Sequence, residues 1–194
     1  MTKNSARIYI MGKQSMYARD VLEQALDIKV YTNDQTDYEA VRKEVLADHY
    51  RICKREPRET LIQALIEGTI ERRKERIKVK RSDKYTRITH SQLGLENISH
   101  KAKKMSTIIN APIVSLADFD QSVFQMCIYL KGELRTVHQI GEELTDMGLS
   151  EQRGDVNEIA KALSSEIQVI NKIIDDDNVW DVEDNIIALI EKEE

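Results

Sequence analysis

The stretch of sequence that decides the fold is residues 113–140, IVSLADFDQSVFQMCIYLKGELRTVHQI. It contains three runs rich in β-branched and aromatic residues, 113–117, 123–130 and 133–140, and this composition favours strands. Polar residues separate the first two runs, and Lys131-Gly132 forms a two-residue turn before the third. We therefore predict a three-stranded antiparallel meander, whose apolar face needs covering by helices or a second sheet.

The sequence after the meander predicts acidic helices that can cover this face. Asp155 and Glu158 have the spacing of a capping box, and apolar residues then recur with helical spacing towards the C-terminus. Residues 141–194 carry sixteen acids and only four bases, a net charge of −12. We expect these helices to back the meander and to present an acidic surface.

The N-terminal half predicts a β-α-β start followed by long helices. A strand over 7–11 precedes a helix that Ser15 can cap, and 28–31 alternates as a second short strand, which suggests parallel pairing. Helical patterns follow over 38–52, from Pro57 to a break at Ser82-Asp83, and over 95–109. We predict a mixed α/β protein of the α+β class, with regions 1–110 and 111–194 forming one compact unit.

Composition limits the classes of function. The chain has 194 residues, a net charge of −5 and two cysteines, Cys53 and Cys127. No apolar run reaches the ~20 residues of a membrane span, and no secretory signal is visible at the N-terminus. We expect a cytoplasmic protein without membrane association or a disulfide framework.

A basic segment contrasts with the acidic C-terminal region. Residues 71–87 carry nine bases against three acids, a net charge of +6, although the whole chain is acidic. The overall acidity disfavours nucleic acid as a partner. We expect a protein partner, of basic character, and the candidate binding residues are the following: Asp175, Asp176, Asp177, Arg72, Arg73 and Arg76.

Asp118-x-Asp120 is the strongest chemical motif. Side chains at i and i+2 of an extended chain point the same way, so two carboxylates there can hold Mg²⁺ or Mn²⁺ for phosphoryl chemistry. A two-residue turn at Lys131-Gly132 would set His138 opposite Gln125, where it can act as a general base or third ligand. Alternatively, the Asp side chains bond their own backbone in a turn. We favour the turn, and therefore no cofactor.

The hairpin at 118–135, DFDQSVFQMCIYLKGELR, resembles a pattern in uncharacterised bacterial proteins, some of them immunity-like proteins of toxin systems. The matching features are the Asp118 and Asp120 pair, the apolar strand through Ile128-Tyr129, and Gly132-Glu133 at the turn. The resemblance implies a binding role and no catalytic residues.

Three functional hypotheses follow from these observations. The leading one is a non-enzymatic, protein-binding module such as an immunity, antitoxin or anti-defence factor. The second is a metal-dependent phosphoesterase or nuclease centred on Asp118 and Asp120. The third is a structural subunit that oligomerises through its amphipathic helices.

Overall fold

The computed structural model describes residues 5–12, 17–28, 38–54 and 58–192. The chain divides into two compact units, one formed by 1–27 with 77–194 and the other by 28–76. The boundary predicted after residue 110 does not coincide with this division, because a strand from the N-terminus belongs to the same sheet as the predicted meander.

A six-stranded antiparallel sheet forms the centre of the larger unit. Its spatial order is β2-β3-β1-β4-β5-β6. The strands are β1 (Ser5–Met11), β2 (Lys78–Arg81), β3 (Tyr85–Thr89), β4 (Ile113–Phe119), β5 (Val123–Leu130) and β6 (Glu133–Gly141). The meander predicted from 113–140 is β4-β5-β6, and the α+β class is confirmed.

The parallel pairing implied by the β-α-β start is not part of this sheet. β1 lies between β3 and β4 and runs antiparallel to both. Both hydrogen-bonding edges of β1 are therefore occupied, and no edge remains for a parallel neighbour. Most of the second predicted strand, 28–31, lies outside the described residues.

The basic segment is partly a hairpin and not a continuous helix. The helix that follows Pro57 ends at Lys74, and Val79 pairs with Ile88 in the β2–β3 hairpin. Ser82 closes the turn by accepting hydrogen bonds at its hydroxyl from the backbone N–H groups of Lys84 and Tyr85. The β-branched and aromatic residues of β3 favour a strand, and pairing with β1 stabilises it.

Helices cover both faces of the sheet. On one side, α1 (Arg19–Leu26) contacts the longer helix that lies against β4 and β5. The other side carries three helices, and their buried residues form one core with Tyr9, Leu116 and Phe124 of the sheet. The remaining helices of this unit are α4 (Leu95–Ile108), α5 (Val156–Leu163), α6 (Ile167–Ile174) and α7 (Val179–Glu191).

The smaller unit contains a pair of helices, α2 (Tyr38–Cys53) and α3 (Glu59–Lys74). Val41, Ile62 and Ile66 form its buried core, and Arg42 pairs with Glu59 on its surface. Within the described part of the whole chain, no helix combines the length and the apolar character needed to cross a bilayer.

Candidate functional site

The Asp118 carboxylate stabilises the turn between β4 and β5. Its Oδ1 accepts a hydrogen bond from the backbone N–H of Gln121 at 3.1 Å. Asp120 and Gln121 both have left-handed backbone conformations, with φ of 48° and 64°. Such conformations are more accessible to Asp and Asn than to most residues. The turn interpretation of Asp118 therefore has direct support from the hydrogen bond to Gln121.

Asp118 is also a buried carboxylate with charged neighbours. It is 4% exposed and lies on the α7 side of the sheet, where Arg7 pairs with Glu183 at 2.7 Å between Nη1 and Oε1. Burial raises the pKa of Asp118 to about 6, and the Glu183 carboxylate contributes in the same direction. The hydrogen bond from Gln121 and the charge of Arg7 act against this rise. Asp118 therefore differs from Asp120, whose side chain is exposed.

His138 is not placed as the two-residue turn predicted. It lies opposite Met126 and not Gln125, because a bulge near Ile128 and Tyr129 shifts the register by one residue. The ring is fully buried, and its Nδ1 accepts a hydrogen bond from the backbone N–H of Gly154 at 3.4 Å. Burial, together with the positive charge of Arg153, lowers the pKa of His138 to about 4.

His138 does not join Asp118 in a common site. β5 separates their two strands, so the lateral distance is two strand spacings, on the order of 10 Å. Asp118 also pairs with Phe124 and not with Met126. Across the residues that the structure describes, no three His, Cys, Asp or Glu side chains are grouped so as to hold a metal ion.

A cleft opens next to the β4–β5 turn. It encloses about 580 Å³, and segments from the turn, from the end of β6 and from the start of α7 form its walls. Its lining residues are Gln121, Ser122, Ile140, Gly141, Glu142, Glu151, Arg153, Asp177, Asn178, Val179 and Trp180. We call this feature the Trp180 cleft.

Arg153 holds one wall of the Trp180 cleft together. Its Nε donates to Glu151 at 2.9 Å, and its Nη1 donates to the carbonyl oxygens of Ile174 and Asp176 at 2.6 and 3.0 Å. Its Nη2 pairs with Asp177. The guanidinium thereby ties the segment before α5 to the loop between α6 and α7, and each of its three nitrogens is engaged.

Trp180 stands at the first turn of α7 and is half exposed, at 52%. The neighbouring apolar residues Val179 and Val182 are buried in the core. Asn178 caps the helix, because its Oδ1 accepts hydrogen bonds from the backbone N–H groups of Trp180 and Asp181. Trp180 therefore projects from a fixed helix end beside the cleft.

The three predicted acidic binding residues have different roles in the loop between α6 and α7. Asp175 is exposed, and its carboxylate has no partner within the described part of the chain. The Asp176 carboxylate accepts a hydrogen bond from the backbone N–H of Asn178 at 2.9 Å. Asp177 pairs with Arg153 while its side chain stays 88% exposed. Asp177 alone among them lines the Trp180 cleft.

The predicted basic binding residues belong to the other unit. Arg72 and Arg73 lie on α3, and Arg76, which is exposed, follows the end of that helix. The structure therefore assigns the acidic and basic candidates to separate compact units.

Part of the charge in the basic and acidic segments is neutralised inside the larger unit. Glu191, near the end of α7, accepts hydrogen bonds from Tyr9 at 2.8 Å, Arg87 at 2.6 Å and Lys80 at 3.3 Å. Although burial by itself would raise the pKa of Glu191, these three donors lower it on balance. The β2–β3 hairpin, here called the basic hairpin, therefore forms ion pairs with the acidic helix α7.

Sequence reasoning did not identify Trp180 or Arg153 as functional candidates. The sequence did contain a signal for Trp180: it is the single tryptophan, it lies three positions after the acidic run 175–177, and it does not belong to the apolar stripe of its helix. The signal for Arg153 is weaker, because three of its four partners are more than 20 residues away in sequence and two of them are backbone carbonyl oxygens.

Comparison with known proteins gives no match for this chain among protein-family models, curated proteins or solved structures.

Proposed function

We propose that this chain is a protein-binding module of the immunity, antitoxin or anti-defence kind, and that the acidic loop between α6 and α7 is part of its contact surface. The observation that carries this proposal is the exposure of Asp177 on the wall of a cleft that also presents Trp180, with the exposed Asp175 two residues away in the same loop. Exposed carboxylates beside an accessible aromatic ring are a combination suited to recognising another protein.

The proposal also accounts for how the charges are distributed. Glu183 and Glu191 pair with Arg7, Arg87 and Lys80 of the sheet, whereas Asp175 and Asp177 are exposed to solvent. An outward acidic surface accelerates association with a basic partner and makes that association sensitive to salt. The partner should accordingly present lysine or arginine.

Affinity capture from the host at ~100 and ~500 mM salt, with the partner then identified and repurified, tests the proposal. Asp175→Lys reverses one charge without removing an internal contact, so it should lower retention at low salt. Glu96→Lys, on the opposite side of the sheet, makes the same change in net charge and should leave retention intact. Equal retention at both salt concentrations, unaffected by Asp175→Lys, would contradict the proposal.

A further inference from the structure

Trp180 is available for contact because of where it lies on its helix. Val179, Val182 and Ile186 carry the buried stripe of α7, and Trp180 is excluded from that stripe. Its ring borders an open cleft of about 580 Å³. Half-exposed tryptophans in concave surfaces are frequent anchors of binding energy, because a large apolar area is desolvated there on binding.

The donors in the Trp180 cleft are already used by the protein itself. All three nitrogens of Arg153 donate to carboxylate or carbonyl oxygens within the fold. The Asn178 side chain accepts from two of the first amides of α7, the groups that would otherwise attract an anion at a helix N-terminus. An anionic group would therefore find its natural partners occupied.

The acceptors in the cleft have remaining capacity. Glu142, Glu151 and Asp177 line it together with the single base Arg153, which leaves a net charge of −2 among the lining residues. The carboxylate of Glu142 is exposed and has no ion-pair partner among the residues that the structure describes. Arg153 engages one oxygen each of Glu151 and Asp177, so their second oxygens can accept further hydrogen bonds.

We infer that the Trp180 cleft receives an arginine side chain of the protein partner, with the guanidinium over the Trp180 ring and hydrogen-bonded to Glu142. This inference rests on the proposed protein-binding function and assigns the chemistry of the central contact. A planar guanidinium can stack on an indole ring and at the same time donate two hydrogen bonds to a carboxylate. The compact ammonium group of lysine does not offer this combination. Charge complementarity and an aromatic face thus select the same ligand group.

Trp180 is the only tryptophan in the chain, so its fluorescence reports on the cleft without labelling. We would titrate the folded full-length protein with N-acetyl-arginine amide and, separately, with N-acetyl-citrulline amide, a neutral analogue of nearly the same shape. The arginine compound should give a saturable change in fluorescence at millimolar concentration. N-acetyl-lysine amide, titrated in the same way, should bind several-fold more weakly, and the citrulline compound should give no saturation.

Two variants locate the effect. Glu142→Gln removes the unpaired carboxylate but none of the Arg153 contacts, and it should weaken arginine binding about 2- to 5-fold, the scale of one solvent-exposed charge pair. Glu96→Gln, on the other side of the sheet, should leave the affinity unchanged. Equal responses to arginine and citrulline, or an unchanged affinity in Glu142→Gln, would overturn the inference.

The outcome also separates this inference from the proposed function. If arginine fails to bind while partner capture still depends on Asp175, the cleft assignment is wrong and the binding module stands. If arginine binds selectively but no captured partner responds to Asp175→Lys, the cleft assignment stands and the proposed contact surface is rejected.

Discussion

Arg87 on β3 and Glu191 on α7 form an ion pair, with 2.6 Å between Nη1 and Oε1, although 104 residues separate them in sequence. The pair connects the basic hairpin to the last helix of the chain. Because Tyr9 and Lys80 donate to the same carboxylate, Glu191 fixes the end of α7 over three neighbouring strands. Part of the charge difference between the basic segment and the acidic C-terminal region therefore stabilises the fold.

Removing this charge should destabilise the larger unit. Glu191→Gln leaves Arg87, Lys80 and Tyr9 with a neutral and weaker acceptor, and we expect a loss of about 1–3 kcal/mol in the free energy of unfolding at pH 7. The pKa of Glu191 is lowered in the folded state, so its stabilisation is present above the unfolded value and disappears as the pH falls through the folded one. Urea denaturation measures both effects.

Asp184→Asn is the matched control, because Asp184 is an exposed carboxylate on the same helix. Its free energy of unfolding should change by less than about 0.5 kcal/mol. Similar losses in the two variants would show that the overall charge of α7, and not the Glu191 contacts, determines the effect.

Gly141 marks the point where the Trp180 cleft meets the sheet, and it should tolerate no side chain. Its φ is +137°, and an added Cβ would lie 2.0 Å from the carbonyl oxygen of Ser122 and 2.7 Å from the Cα of Val123. Both obstacles are backbone atoms that cannot rotate away. We expect Gly141→Ala to cost at least about 4 kcal/mol or to abolish soluble folding, as judged by urea denaturation.

Gly148 supplies the comparison. It also has a positive φ, +69°, but an added Cβ would meet no atom within 4 Å. Gly148→Ala should therefore cost only the local backbone strain, about 1 kcal/mol. Equal costs at the two positions would show that the clash at Gly141 is relieved by movement of the β4–β5 turn.

Local patterns were sufficient to predict the meander. Each strand of 113–140 has its own run of β-formers, and the turn at Lys131-Gly132 joins strands that are adjacent in sequence. The β2–β3 hairpin was missed because lysine and arginine are good helix formers and Ile77 continues the helical stripe of α3. β3 forms a strand because it pairs with β1, which lies nearly 80 residues away in sequence. A pattern read over a short stretch of sequence does not include that contact.

The candidate site was less accessible to prediction. The Asx-type bond of Asp118 follows from a short-range rule and was anticipated, whereas the register of His138 depends on one bulge residue. The Trp180 cleft combines three segments, around residues 121, 142–153 and 177–180. Its existence depends on tertiary packing, so only the separate polar and aromatic residues were visible in the sequence.

Ionised Asp118 should lower stability at neutral pH. Its pKa is about 6 when folded and about 3.9 when unfolded, so the folded protein keeps a proton that the unfolded chain releases in this range. Stability from this group falls as the pH rises from about 4 to 6. Asp118→Asn retains an acceptor for the Gln121 N–H, and we expect it to gain about 1–2 kcal/mol at pH 7 in urea denaturation.

Asp120→Asn is the control, because Asp120 is exposed and asparagine readily adopts its left-handed conformation. It should change the free energy of unfolding little. A loss of stability in Asp118→Asn at pH 7 would show that the attraction to Arg7 outweighs the effects of burial and of Glu183.

The Asp120→Asn variant also tests the metal hypothesis. If the carboxylates only shape the turn, millimolar Mn²⁺ should not shift the melting temperature of the wild-type protein. Metal held by both carboxylates would stabilise the folded state and raise the melting temperature by several degrees, and Asp120→Asn would abolish that rise. Such a result would favour the phosphoesterase hypothesis over the turn.

His138 should make stability depend on pH in the opposite direction from Asp118. Its pKa is about 4 when folded and about 6.5 when unfolded. Between these two pH values the unfolded chain binds a proton on His138, whereas the buried ring in the folded protein stays neutral. Stability from His138 is complete above pH 6.5 and falls by about 3 kcal/mol as the pH drops to 4. In the wild type this loss is partly masked, because Asp118 gains stability over nearly the same range.

A cycle of four proteins separates the two contributions. Asp118→Asn should lose stability on acidification more steeply than the wild type, and His138→Gln should gain stability or lose it less steeply. The double variant should be the least dependent on pH between 4.5 and 6.5. Because the sites lie on the order of 10 Å apart, the two effects on slope should be nearly additive. An unchanged slope in His138→Gln would show that the imidazole protonates in the folded state as easily as in the unfolded chain.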